Sequence, residues 1–313
     1  MNTIDVYIFT GFLGSGKTTL LNSLLSKIAK TKKIVVIENE IGEVNIDSKL
    51  INNLSHYTYE LTQGCICCSL SDDLYDILFQ IYESNSKPDV VVIETTGIAD
   101  VGSLSVILKS NEVRKYFNLK LVFCVVDSEN IEDRIQEHIE VSKQIAGADV
   151  LILNKIQKVH QDYVVYLNEM FNKIQPFAKV VISQNGEFDE KWLELNVQTK
   201  PKFFLASSEI KNEHYKHQIN SFTYRTNSIC DLNKLQLVMQ MYFLQYPNQL
   251  LRVKGFVKTN LNKMALIQST GKYVSTEIVG DWPVSEQEHS ELVFIGNQIR
   301  KDTFERILRP IFS

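Results

Sequence analysis

Through about residue 180, apolar residues come in short β-branched runs, and between the runs lie stretches whose apolar positions recur at helical spacing. The runs predict strands at residues 6–9, 34–38, 57–61, 90–94, 121–126, 150–153 and 179–182. The amphipathic stretches predict helices at residues 17–30, 70–83, 103–116, 131–146 and 163–174. Val90-Val91-Val92-Ile93 shows no polar alternation, as a strand covered on both faces must not. Strand and helix in regular succession imply an α/β domain with a mostly parallel central sheet and helices on both faces.

Residues 184–216 are polar, weakly periodic and interrupted by Gly186 and Pro201, the composition of a connector. Beyond them the pattern changes to alternating runs at 219–224, 251–257, 264–268 and 292–295, with helical spacing at 232–246 and 303–311. This predicts a smaller α+β domain. The expected division is 1–184, a connector over 185–217, and 218–313.

Charge narrows the candidate functions. With 33 basic and 37 acidic residues well interspersed among 313, the net charge of -4 offers no basic footprint for nucleic acid or an anionic membrane. No apolar run approaches the roughly 20 residues that span a bilayer, and the first residues lack the basic start of a signal peptide. The reading is a cytoplasmic protein with neither a nucleic-acid nor a membrane partner.

Directly after the first strand comes Gly11-Phe12-Leu13-Gly14-Ser15-Gly16-Lys17-Thr18-Thr19, a P-loop in its required context of strand, loop and helix. Glycines let successive N–H groups converge on phosphate oxygens at the positive end of the following helix. Lys17 then bridges the β- and γ-phosphates, and Thr18 offers its hydroxyl to Mg²⁺. Glu94, at the end of the Val90–Ile93 run, is placed to hold a magnesium-bound water or polarise the attacking one, and the Gly97 N–H to sense the γ-phosphate. The fold expected is therefore a P-loop NTPase domain followed by the α+β domain.

Leu151-Ile152-Leu153-Asn154-Lys155-Ile156-Gln157 occupies the position where P-loop GTPases carry Asn-Lys-x-Asp. Asn154 and Lys155 can cradle a base. Gln157, with one neutral acceptor, cannot reproduce the two charge-assisted bonds an aspartate accepts from guanine. GTP is preferred over ATP on this reading, with selectivity left open.

Three of the five cysteines, Cys65, Cys67 and Cys68, crowd into one short segment, too tight for an ordinary disulfide framework. Thiolates at a helix amino end suit zinc, cobalt or copper(I), and three sulfurs leave a coordination position open, as a carrier needs. A Cys65/Cys68 redox pair is the competing reading. Cys124 and Cys230 read as packing residues.

Taken together, these motifs resemble the CobW-type family of metal-handling GTPases, relatives of the hydrogenase and urease nickel-insertion GTPases. Gly11–Thr19 resembles its P-loop, Glu38–Asp47 its first switch, Gly64–Cys68 its C-x-C-C motif and Glu94–Gly97 its second switch; residues 251–256 and 292–296 resemble later signatures. The resemblance implies a GTPase metallochaperone whose nucleotide state controls a transition metal, Zn²⁺ or Co²⁺, held by Cys65, Cys67 and Cys68 and handed to a client metalloprotein. It implies nucleotide contacts from Gly11, Gly14, Ser15, Gly16, Lys17, Thr18, Thr19, Glu40, Asn154 and Lys155, and Mg²⁺ held by Thr18 and Glu94. A homodimer is left open. The histidine-rich tract of many relatives is reduced here to His214 and His217, and whether that pair binds metal stays open. Two further readings survive: a P-loop small-molecule kinase, or a metal-responsive binding module in which nucleotide only stabilises the fold.

Overall fold

The computed structural model describes residues 3–38, 57–60, 69–99, 101–195, 219–260, 263–270, 272–282 and 288–312. Glu40 with the rest of the first switch from 39 to 47, the cysteines Cys65, Cys67 and Cys68, and His214 and His217 lie outside these residues. The chain forms two compact units. The second takes in 132–147 and 171–177 besides the carboxy-terminal part of the chain.

The first unit is built on seven strands: β1 (Ile4–Thr10), β2 (Ile34–Glu38), β3 (Tyr57–Glu60), β4 (Val90–Glu94), β5 (Phe117–Asp127), β6 (Val150–Asn154) and β7 (Lys179–Ile182). Their order is β3-β2-β4-β1-β5-β6-β7, and every neighbouring pair is parallel. Helices α1 (Lys17–Ile28), α2 (Ser69–Glu83) and α3 (Val101–Leu108) belong to this unit. Alternate strand residues feed two separate cores. Phe9, Val36, Val92 and Phe123 meet Leu20, Leu21, Leu24 and Leu25 of α1 on one face. Ile8, Ile37, Ile93 and Val122 meet Leu74, Leu78 and Leu104 of α2 and α3 on the other. A strand buried on both sides has no polar face to alternate, which accounts for its continuous apolar runs.

Two helices differ from the pattern in the sequence. The expected helix 103–116 is α3, ending at Leu108; Ser110 N–H closes on the Ile107 carbonyl, and residues to 116 continue in turns. Ser110 and Asn111 are residues that favour turns over helix interior. The expected helix 131–146 is two, α4 (Ile131–Glu137) and α5 (Ile139–Gly147), interrupted at His138, whose N–H still reaches the Arg134 carbonyl. Helix α6 (Gln161–Ile174) matches its expectation closely.

Residues 185–195, read from sequence as the start of a connector, return to the core. Phe188 is fully buried, 5.6 Å from Phe9 and 5.4 Å from Phe123 between ring centres, and Trp192 meets it edge-on at 4.9 Å. Lys27 Nζ donates to the Phe188 carbonyl at 2.6 Å, and Ser23 Oγ accepts from its N–H at 3.0 Å. Two aromatic residues in a polar stretch are enough to tie it to α1.

In the second unit, β8 (Ile219–Thr226), β9 (Leu250–Lys258), β10 (Lys263–Thr270), β11 (Tyr273–Asp281) and β12 (Ser290–Asn297) form an antiparallel sheet in the order β11-β10-β9-β12-β8. Helices α7 (Leu232–Gln245) and α8 (Lys301–Leu308) supply Leu235, Met239, Phe243, Phe304 and Leu308 to its core. Strand β11 escapes sequence reading because Val274 is its one fully buried residue, so no apolar alternation marks it. Along this outer strand, Gln240 of α7 donates to the Lys272 carbonyl at 2.5 Å and accepts from Val274 N–H at 3.2 Å. Gln236 donates to the Val274 carbonyl at 3.0 Å. No helix of the described residues is long and apolar enough to cross a membrane.

Candidate nucleotide site

The P-loop leaves β1 at Thr10 and enters α1 at Lys17. Gly11 and Gly16 hold φ angles of 143° and 95°. A Cβ at Gly11 would stand 2.4 Å from the Val125 carbonyl oxygen, and one at Gly16 would stand 2.4 Å from Asn154 Nδ2. Both positions thus demand glycine for space as well as for backbone angle. Gly16 also caps α1 without a side-chain hydrogen bond, and the first turn of the helix holds no acidic residue, so its leading N–H groups are left to face the loop.

Around this loop three buried hydroxyls, Thr10 Oγ1, Ser15 Oγ and Thr96 Oγ1, have no hydrogen-bond partner among the described residues. A buried unpaired hydroxyl is costly, and phosphate oxygens are acceptors that would satisfy it. Lys17 donates to the carbonyls of Gly11 at 3.0 Å and Phe12 at 3.5 Å. Burial lowers its pKa, while the carboxylate of Glu94 and the Cys124 thiol oppose that shift. A partly desolvated ammonium attracts phosphate more strongly than a fully hydrated one.

Thr18 Oγ1 donates to Glu94 Oε1 at 2.8 Å, across 76 residues of sequence. This brings the two residues expected at Mg²⁺ into direct contact, and both offer the hard oxygen donors that ion takes. Thr95 N–H bonds the Phe9 carbonyl at 2.9 Å and anchors the segment after β4 to β1. Gly97 lies so close to the loop that a Cβ there would be 2.5 Å from Leu13 N. The segment after β4, expected to be the second switch, and the P-loop are therefore in contact.

At the other end of the loop, Asn154 Nδ2 donates to the Ser15 carbonyl at 2.9 Å, and Lys155 Nζ to the Gly14 carbonyl at 2.6 Å. Lys155 also pairs with Asp127 at 2.9 Å. Gln157 lies on a 3₁₀ turn with its side chain exposed. Thr19 meets a residue sequence reading did not connect to the site: a Cβ at Gly186 would be 2.9 Å from Thr19 Cγ2.

Sequence reading took Glu38 for the start of the first switch and gave it no ligand role. It ends β2 in register with Glu94 of β4 on one side and Glu60 of β3 on the other, and its side chain is buried. Three carboxylate residues thus occupy one cross-strand row at the carboxyl ends of adjacent parallel strands, next to the strand that carries the P-loop. The signal in the sequence was position: Glu38 and Glu94 each end a predicted strand, and Glu60 stands one residue before the end of the third, 57–61. Cys124 and Cys230 are free thiols buried in the cores.

A family model described as CobW/HypB/UreG, nucleotide-binding domain, matches residues 5–182, and one described as the cobalamin synthesis protein cobW C-terminal domain matches 219–311. The chain is 32% identical over 320 residues to the zinc chaperone YjiA of Escherichia coli (strain K12), covering 96% of each. It is 25% identical over 346 residues to the zinc chaperone CobW of Pseudomonas aeruginosa, covering 99% of this chain and 92% of that one. The crystal structure of Zn(II)-bound YjiA GTPase from E. coli superposes with a TM-score of 0.75 at 27% identity, covering 100% of both chains.

Proposed function

Since the chain belongs to the CobW/HypB/UreG family, we propose that it is a GTP-hydrolysing metallochaperone that carries zinc on Cys65, Cys67 and Cys68 and releases it to a client metalloprotein in step with its nucleotide state. What carries the reading is the row Glu60–Glu38–Glu94 beside the P-loop, with Glu94 bonded to Thr18. Chain leaving β2 becomes the first switch, and chain leaving β3 reaches Cys65 five residues after Glu60. Both segments depart from the edge where the phosphates are read. Glu38, a buried carboxylate at the end of β2, is the oxygen ligand this reading adds to the three sulfurs around a borderline metal. Full-length relatives named zinc chaperones favour this over phosphoryl transfer to a small molecule.

In this reading the glycine cradle and the amino end of α1 bind the phosphates, and Lys17 bridges β and γ oxygens. Thr18 and Glu94 would hold Mg²⁺, which when bound would neutralise charge building on the leaving phosphate. Glu94 orients the attacking water, and Gly97 registers loss of the γ-phosphate at its contact with Leu13. Asn154 and Lys155 brace the loop and hold the base. Residues 1–184, with 185–195 packed into their core, act as the nucleotide domain and 218–313 as the second domain, the chain between them being the connector, and the protein works in the cytoplasm.

The test is a zinc titration against a competing chelator, in GDP and in a non-hydrolysable GTP analogue, with cobalt as a second metal. A nucleotide-dependent ratio of about tenfold is expected, within the usual range of coupling energies, and metal must change nucleotide affinity by the same factor. Equal zinc affinity in both nucleotides defeats the reading. Loss of zinc binding on replacing Cys65, Cys67 and Cys68 by serine completes the assignment.

A further inference from the structure

Gln157 removes the acid that would fork to a guanine edge, yet the segment before it is tied down by several hydrogen bonds, and the group that takes the Lys155 ammonium is a carboxylate from another strand. Asp127 ends β5 in register with Asn154 at the end of β6. Its Oδ2 takes the Lys155 ammonium at 2.9 Å and Asn130 Nδ2 at 3.1 Å, while Oδ1 takes the Glu129 N–H at 3.1 Å. Lys155 in turn gives a second bond to the Gly14 carbonyl. The side chains of both partners are mostly buried, at 27% and 16% exposure. Lys155 also sits at φ 58°, a left-handed backbone that a lysine adopts only when its surroundings enforce it.

These facts have one chemical consequence. With its ammonium committed to Asp127 and Gly14, Lys155 has no freedom to swing, and its methylene stem is fixed beside the phosphate loop. A fixed apolar stem can support the flat face of a purine. Burial alone would raise the Asp127 pKa, but the bonds from Lys155, Asn130 and the Glu129 amide hold it below the usual carboxylate value, so the clamp stays charged at any physiological pH.

We propose that Asp127 is a positioning residue for the nucleotide base, acting through Lys155, and that it keeps purine affinity in a chain lacking the edge-reading acid. This rests on the nucleotide reading above. Because the support is to the ring face, it serves guanine and adenine alike, and the base site ranks purine over no base more strongly than guanine over adenine.

The test uses the full chain with fluorescent GDP and ADP analogues and, as a base-free probe, Mg²⁺–tripolyphosphate. Asp127→Asn keeps the shape and removes the charge; it is expected to weaken both nucleotides about tenfold, the effect of about 1.4 kcal/mol, and to leave tripolyphosphate unchanged. In a Lys155→Ala background the same change should add nothing, since coupled residues fail to add. Asp127→Glu should restore part of the loss. Equal weakening of tripolyphosphate would assign Asp127 a merely structural role and overturn the proposal, as would full additivity with Lys155→Ala. A wild type that binds tripolyphosphate as tightly as GDP would refute the base clamp while leaving phosphate binding and hydrolysis intact. Failure to bind any of the three probes would instead sink the nucleotide reading along with it.

Discussion

The Thr18 hydroxyl donates to the Glu94 carboxylate at 2.8 Å, so the helix behind the phosphate loop and the end of β4 are joined at the point where a magnesium ion would neutralise phosphate charge. Glu94→Gln keeps the size and one accepting oxygen and removes the charge. Hydrolysis is expected to fall about 10²–10³-fold, and the Mg²⁺ concentration for half-maximal rate to rise about tenfold or more. Thr18→Ala should raise the Mg²⁺ requirement in the same direction. Magnesium titrations of the steady-state rate check both; unchanged dependence in both variants would remove these residues from the ion.

Gly16→Ala should abolish nucleotide binding without unfolding the chain. The added methyl would stand 2.4 Å from Asn154 Nδ2 at a φ of 95°, so the loop must shift off the strand that braces it. Calorimetric binding of GDP reads the loss, and a circular dichroism spectrum superimposable on wild type shows that only the loop has moved. Wild-type affinity in this variant would mean that the brace is dispensable.

Phe188→Ala tests whether residues 185–195 belong to the first core. Removing a fully buried ring that touches Phe9, Phe123 and Trp192 is expected to cost about 3–5 kcal/mol in urea unfolding. A loss below about 1 kcal/mol, the size of an ordinary surface change, would show that the segment merely rests on α1.

Alkaline pH should unfold the protein in a defined window. Burial pushes the Cys124 and Cys230 thiols up to about 12 from 9.0, with Lys17 opposing at Cys124 and Asp231 adding at Cys230. Burial, helped by Asp5 and Glu194, likewise pushes the Tyr7 phenol from 10.0 to about 12. The folded state holds these protons more tightly than the unfolded state does. Their stabilisation is therefore complete below about pH 9 and is lost as pH rises toward 12. Urea midpoints measured across that range should decline, and Cys124→Ala, Cys230→Ala and Tyr7→Phe together should flatten the decline. A flat wild-type profile would contradict the assignment.

The same burial fixes how many thiols can be labelled. Of five cysteines, Cys124 and Cys230 are enclosed and protonated, so alkylation of native protein at about pH 8 should give no more than three adducts. Zinc should protect those three. A fourth adduct in the native state would show that one of the cores opens.

Much of this architecture could be read before any coordinates. Strands such as 34–38 and 90–94 came through to the residue because a two-sided core imposes an uninterrupted apolar run. The phosphate loop was equally plain, since glycine spacing and the strand before it follow from steric need. What stayed hidden depended on partners far away in sequence. Nothing local in Phe188 or Trp192 announces that α1 will cover them, and nothing in Gly186 announces Thr19. Asp127 looks like any strand-terminal acid until β5 and β6 align it with Asn154, and Glu38 like any switch residue until β2 lies beside β4. Strand β11 was invisible for a different reason: with Val274 alone fully buried, it draws its structure from hydrogen bonds to β10 and α7.

Those hydrogen bonds from α7 also bear on solubility. Strand β11 is outermost in its sheet, and Tyr273, Ile278 and Val279 are exposed along it, a composition prone to recruit like strands from neighbouring molecules. The amides of Gln236 and Gln240 each carry a donor and an acceptor, and from the helix they occupy main-chain groups at Lys272 and Val274 that a foreign strand would need. Two glutamines thereby take up main-chain groups at the start of β11 that an incoming strand would otherwise pair with.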